Sequence, residues 1–236
     1  MNVTWLGQSG YLVESQGARL LIDPFYSDIV EQKHGLKRLM KAPVPIADLH
    51  PDLIFITHDH LDHFDPIALP IIHQTYPRAR IIGPESVMKK AREFDFDEST
   101  LVPLPVGSVY QAGGFQLRAL PAYHGDPLAV GLLLHVQDKA IFYSGDTMLT
   151  DAYLNDIQAV CSEPIDIAFI VINGRLGNMN LTEAVRVASA LRPALAIPMH
   201  YGMFAENTAD PLEFARNCHQ NGIKTQLMQP GVPVNF

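Results

Sequence analysis

Short aliphatic runs closed by glycine, proline or aspartate alternate with longer amphipathic stretches along the chain. Period-two alternation between turn residues predicts strands at 2–6, 10–15 and 18–23, with turns at Gly7-Gln8-Ser9-Gly10 and Gln16-Gly17. The third strand ends at Asp23-Pro24, because proline has no N–H to continue a ladder. Leu53-Ile54-Phe55-Ile56 is apolar on both faces and predicts a buried strand, and 80–83 and 100–102 predict two more. Lys33, Lys37 and Lys41 are spaced for one face of a helix over 31–41. Asp65-Pro66 reads as N-cap and first residue of a helix to about Tyr76. Ser86 to Phe94 predicts a helix with Val87, Ala91 and Phe94 on one stripe.

A second series begins near Gly107. Strands at 108–110, 115–120, 129–136 and 140–143 read as an antiparallel succession. Strands at 167–172, 194–197 and 224–228 then alternate with helices at 151–160, 181–191 and 211–220. Each half, about 1–106 and 107–236, thus runs from a strand meander into strand–helix alternation. The pattern predicts one α/β domain over 1–236, with two facing mixed sheets and helices outside in an αββα sandwich.

Composition narrows the class. The chain has 236 residues, 47% hydrophobic and 18% charged, which is enough apolar material for a substantial core. A net charge of −8 argues against nucleic acid as the main partner, since phosphate backbones need a basic face. Cys161 and Cys218 form no CxxC pair and read as free thiols of a reducing compartment. No signal-like N-terminus and no apolar run approaching the roughly 20 residues of a membrane span is seen, so a cytoplasmic location without membrane contact is expected.

The chemistry gathers in Thr57-His58-Asp59-His60-Leu61-Asp62-His63-Phe64-Asp65, directly after the buried run. A strand that runs out into a polar loop is where α/β folds place their chemistry. Imidazole and carboxylate together suit zinc, manganese or iron. His58 and His60, two apart, project to one side of a strand end, and Asp62 and His63 follow on a turn where they can face a second ion. One loop rarely fills two metal shells, and His124, Asp146 and His200 each sit just past another predicted strand. Asp23, also at a strand end, is placed either to orient a metal-bound histidine or to cap its own turn. His34, His50, His73, His135 and His219 lack such placement.

His58-x-His60-x-Asp62-His63 followed in order by His124, Asp146 and His200 resembles the metallo-β-lactamase superfamily over nearly the whole chain. The resemblance implies one ion held by His58, His60 and His124, a second by Asp62, His63 and His200, and Asp146 between them. In the flavodiiron branch an acidic residue stands at the place of His60, which counts against oxygen reduction. A narrower likeness lies in Trp5-Leu6-Gly7-Gln8-Ser9-Gly10, in Asn173-Gly174-Arg175-Leu176-Gly177-Asn178-Met179-Asn180 and in Pro198-Met199-His200-Tyr201-Gly202-Met203-Phe204. These segments are similar to the L-ascorbate 6-phosphate lactonase branch, manganese-dependent hydrolases that open a sugar-acid lactone. That likeness implies a small anionic substrate and one or two divalent ions, manganese or zinc ahead of iron. It sets Asn173, Asn180 and Tyr201 beside the substrate or behind the ligands, although Asn180 also reads as a helix N-cap with Glu183 closing a capping box.

The expected reaction follows from general chemistry. A divalent ion lowers the pKa of its water from about 15.7 towards about 7. The hydroxide attacks the lactone carbonyl, Asp62 or Asp146 receives the proton, and Arg175 or the second ion meets the oxyanion. Arg175 or the basic 31–41 segment would hold a substrate phosphate, the plainer role of that segment being a solvated face. The competing readings are phosphodiester hydrolysis on nucleotides and a metal-dependent sensor without turnover. Such enzymes often associate, so a homo-oligomer is a further expectation.

Overall fold

The computed structural model describes residues 1–236. In chain order it contains β1 (Asn2–Gly7), β2 (Gly10–Ser15), β3 (Ala18–Ile22), α1 (Ile29–His34), β4 (Leu53–Phe55), α2 (Ala68–Thr75), β5 (Arg80–Gly83), α3 (Glu85–Glu93) and β6 (Leu101–Pro103). There follow β7 (Val109–Ala112), β8 (Phe115–Pro121), β9 (Val130–Val136), β10 (Lys139–Tyr143), α4 (Asp151–Val160), β11 (Ile167–Val171), α5 (Leu181–Leu191), β12 (Leu195–Met199), α6 (Pro211–Gln220) and β13 (Val234–Asn235).

Two mixed sheets result, in the orders β13-β1-β2-β3-β4-β5-β6 and β12-β11-β10-β9-β8-β7. In the first, β1, β2 and β3 form an antiparallel meander that β4, β5 and β6 extend in parallel. The second repeats the plan, with β7 to β10 antiparallel and β11 and β12 added in parallel. The two-residue repeat of a strand sorts the first sheet's side chains between two cores. Val13, Leu20, Ile22, Leu53, Phe55 and Ile82 join the large core shared with the second sheet. Their neighbours Leu12, Leu21, Ile54 and Ile81 turn outward, where Leu69, Ile72, Val87 and Met88 of α2 and α3 cover them. No helix is long and apolar enough to cross a membrane.

Three predicted elements differ. The helix over 31–41 is only α1: Gly35 takes the left-handed conformation at φ 72° and its N–H closes on the Glu31 carbonyl. Beyond it the Arg38 guanidinium donates to the carbonyls of Met40, Ser27 and Phe25 and stacks on Phe25, holding irregular chain in place. Lys33, Lys37 and Lys41 therefore share no helical face. Residues 224–228 make only a bridge, Thr225 against Ala196, and the first sheet's edge is instead extended by the short β13. The helix predicted from Asp65-Pro66 starts at Ala68. Asp65 Oδ1 nevertheless accepts from the N–H groups of Ile67 and Ala68, and Oδ2 accepts from those of Tyr26 and Ser27. One buried carboxylate thus caps α2 and ties the chain after β3 to it.

β4 approaches β5 closely where it delivers the histidine loop. A Cβ added at Gly83 would stand 2.6 Å from the Ile56 carbonyl oxygen and 3.1 Å from Val87 Cγ1. We expect Gly83→Ala to lower unfolding free energy by about 1–3 kcal/mol, as overpacked sites do, in urea denaturation. The displaced strand end should also weaken metal binding at His58, read by titration with a coloured chelator.

Candidate metal centre

The polar cluster forms where β3, β4, β8, β10 and β12 all end on one side of the sandwich. Asp23 follows β3, His58 to His63 follow β4, His124 follows β8, Asp146 follows β10 and His200 follows β12. Asp23 is fully buried and has φ 42°, a conformation that costs a non-glycine residue energy and marks a constrained position. Its Oδ1 accepts from Thr57 N–H at 2.8 Å, and its Oδ2 from Thr57 Oγ1 at 2.8 Å, His63 Nδ1 at 2.8 Å and Tyr143 OH at 3.1 Å. Of the two roles open to Asp23 in the sequence, its contact with His63 is the orienting one.

These bonds select the tautomers. Because Thr57 Oγ1 gives its proton to Asp23, it accepts from His58 Nδ1 at 2.9 Å, and His58 Nε2 is left bare. His63 Nδ1 likewise donates to Asp23 and presents Nε2. His124 Nδ1 donates to the Gly177 carbonyl at 3.0 Å, which turns Nε2 to within 3.1 Å of His60 Nδ1. The Nε2 atoms of His58 and His63 and Oδ1 of Asp146 are buried with no hydrogen-bond partner. Buried polar atoms are seldom left so, and here they converge. Asp146 Oδ2 lies 3.2 Å from His200 Nε2, 3.4 Å from His63 Nε2 and 3.8 Å from His124 Nε2. Asp62 Oδ2 is 3.3 Å from His200 Nε2. Donor atoms of His58, His60 and His124, of His58, His63 and Asp146, and of Asp62, His63 and His200 form three overlapping groups, each within 4.8 Å. Nitrogen and carboxylate donors in threes, with bare lone pairs, fit divalent transition metals.

The charges agree with that fit. Burial, with His63 beside it, holds His58 well below the ordinary imidazole pKa, and burial with His124 lowers His60. Both are neutral and able to ligate. For His63 and His200 burial also opposes protonation, but Asp146, Asp23 and Asp62 outweigh it at His63, and Asp146 and Asp62 at His200, which is pushed up to about 9. Asp62 and Asp146, in spite of burial, are held below the ordinary carboxylate range by the same imidazoles.

A cavity of about 630 Å³ opens over His60, Asp62, His124, Asp146 and His200. Side chains outside the predicted set also line or brace it. Gln8 Nε2 donates to Asp62 Oδ2 at 2.8 Å and stands 3.0 Å from His200 Nε2, while Asn178 Nδ2 donates to Asp146 Oδ2 at 2.7 Å. Lys90 and His34 line the cavity too, Lys90 Nζ donating to the Asp59 carbonyl. Gln8 and Asn178 lie in segments that already carried the lactonase likeness; nothing local distinguishes Lys90 or His34. Seven predicted residues lie elsewhere. Arg175 is exposed and outside the cavity lining, as are Lys33, Lys37 and Lys41. Asn173 is buried and donates to Asn207 Oδ1 at 2.7 Å, one step behind the lining. Tyr201 packs on Trp5 with centroids 4.9 Å apart, and Asn180 caps α5 in a capping box with Glu183. A larger cavity of about 820 Å³ lies at the opposite ends of β4 and β5, away from these groups.

In the metal-free protein Asp146 and Asp62 favour a proton on His200, and metal must displace that proton. Metal affinity should therefore rise with pH up to about 9. Calorimetric titration in buffers of different ionisation enthalpy at pH 7 should record net proton release. A raised imidazole pKa stabilises the metal-free fold fully below the ordinary 6.5, a contribution lost as pH rises through about 9. Melting curves of the metal-free protein should decline over that interval.

Residues 18–201 match the family model for the beta-lactamase superfamily domain. The chain is 31% identical to a UPF0173 metal-dependent hydrolase from Pyrobaculum neutrophilum, with 98% of each chain covered. It is 28% identical to another UPF0173 metal-dependent hydrolase, from Methanopyrus kandleri, again over 98% of both. Among solved structures, a metallo hydrolase from Ignicoccus hospitalis superposes with a TM-score of 0.80 at 26% identity, covering 100% of this chain and 98% of that one.

Proposed function

The chain belongs to the beta-lactamase superfamily, and we propose that it is a metal-dependent hydrolase that opens a neutral lactone or ester, with two divalent ions held by the seven histidines and aspartates. The observation that carries the substrate side is the cavity lining, in which Val30, Leu36, Leu61, Leu176 and Phe204 accompany a single lysine, Lys90. A phosphorylated sugar lactone would call for several cations around a phosphate remote from its reacting carbonyl, and Arg175, Lys33, Lys37 and Lys41 all stand outside the lining. A neutral carbonyl compound makes no such demand.

When bound, zinc or manganese supplies Lewis acidity and a water of lowered pKa. The protein's own part lies in orientation and proton handling. Asp23 and the Gly177 carbonyl fix His63 and His124, and Asn178 fixes Asp146 between the two groups of ligands. Asp62, the more open of the two carboxylates at the cavity, has Oδ2 held by Gln8 and takes a proton from the attacking water there. Water adds across the acyl C–O bond, its hydroxyl going to the carbonyl carbon and its proton, by way of Asp62, to the departing alkoxide. A lactone gives a hydroxy acid, and an ester gives an acid and an alcohol.

Acid release should be measured for a γ-lactone, L-ascorbate 6-phosphate and bis(p-nitrophenyl) phosphate, with zinc- and manganese-loaded protein. We expect the γ-lactone to be turned over fastest. His60→Ala should lose both bound metal, by mass spectrometry of the elements, and turnover. Phosphodiester cleavage faster than lactone opening would overturn the carbonyl reading, and no turnover on the whole panel would favour a sensor.

A further inference from the structure

The lining contains a feature that metal binding does not explain. Leu176 is 74% exposed, the most exposed large apolar side chain in the protein, and it has φ 53°. It lies between Gly174 at φ 69° and Gly177 at φ 87°. Glycine would adopt all three conformations without cost, yet the middle position carries a leucine that is strained and faces water. The loop around it is firmly held. Gly174 N–H donates to Met179 O at 2.9 Å, Met179 N–H to Thr147 O at 2.9 Å and Asn178 N–H to Arg175 O at 3.1 Å. Gly177 and Asn178 bond His124 and Asp146, as described above. Leu176 is therefore fixed at the cavity rim within two residues of groups that set two metal ligands.

The other apolar residues of the lining share one origin. Val30 and Phe204 belong to a small hydrophobic cluster of their own with Phe25, Ile29 and Met203, and Leu36 and Leu61 pack against it. This cluster is separate from the two cores that hold the sheets. Leu39 N–H donates to Met203 O at 2.7 Å, and Arg38 bridges to Phe204, so the 29–40 segment and the loop after His200 form one wall.

We propose that this cavity receives an alkyl or aryl substituent of the substrate, seated on Val30, Leu36, Leu61 and Phe204 and covered by Leu176. The substrate class is then a lactone or ester whose non-reacting part is hydrophobic, and Leu176 is a specificity-determining residue. This rests on the hydrolase reading for the reacting group alone. The apolar seat is an independent property of the cavity. Burial of the substituent removes the exposure of Leu176, which gives the strained leucine a physical reason.

The test separates binding from turnover. Straight-chain carboxylates from butanoate to octanoate, which carry the product's carboxylate and an alkyl chain, are titrated calorimetrically into zinc-loaded protein. Full burial of a methylene strengthens binding by about fourfold, so burial of even half of the chain that octanoate adds to butanoate should tighten binding by about tenfold or more. In Leu176→Gly and Leu176→Asp the ratio should fall towards one. Leu176→Gly should melt no lower than wild type, because the strain is gone, which a merely structural leucine would not allow. Leu212→Asp, at an exposed position on α6, should keep the wild-type ratio. A flat chain-length series in the wild type, or an unchanged ratio in both Leu176 variants, overturns the proposal. Octanoate selectivity without hydrolysis of any γ-alkyl lactone would sink the hydrolase reading and leave the seat standing. Lactone turnover without chain-length selectivity would do the reverse.

Discussion

The centre depends on one buried carboxylate. Asp23 accepts four hydrogen bonds, two from Thr57, one from His63 and one from Tyr143. Thr57 and His63 follow β4 of the first sheet, whereas Tyr143 ends β10 of the second and also donates to the Ser9 carbonyl. Asp23 thereby joins the two sheets at the point where ligands from both must meet. A carboxylate without those donors would be intolerable at zero exposure, and the donors without it would leave the Thr57 N–H and His63 Nδ1 unsatisfied. The same bonds decide which imidazole nitrogens are bare. In the proposed centre, metal affinity at His58 and His63 would thus be set partly by a residue that touches no metal.

The division of labour among the loops follows from the sheets. Parallel strands deliver their C-terminal ends to one side, and β3, β4, β10 and β12 each leave an acidic or imidazole side chain there. The walls come from chain that belongs to neither sheet, the 29–40 segment and the loops after β11 and β12. The rigid part carries the ligands, and the wall residues are free to define the substrate. Gln8 crosses the division: its carbonyl accepts the His200 N–H at 3.1 Å while its amide holds Asp62.

Much of this was legible in the chain, and the failures are physical. Alternating and continuous apolar runs identified nearly every strand, because each strand of the sheets buries one face or both. The histidine and aspartate loops were legible because each directly follows such a run. Lys33, Lys37 and Lys41 misled because i, i+4 spacing carries no information on where a helix stops, and Gly35 stops this one. The strand read at 224–228 failed because a strand needs a partner, and Thr225 finds only a single bridge. Lys90 and His34 were not legible, since their place at the cavity is set by packing of α3 and α1 rather than by neighbours in sequence. Asn180 took its local role, a helix cap, in preference to one implied by likeness alone.

The most direct test of the centre is anomalous diffraction from crystals soaked in zinc. The account predicts two peaks, one among His58, His60 and His124 and one among Asp62, His63 and His200, with the Asp146 carboxylate between them. A zinc-replete crystal with no anomalous peak among these seven side chains, or with a single peak at full loading, would contradict it.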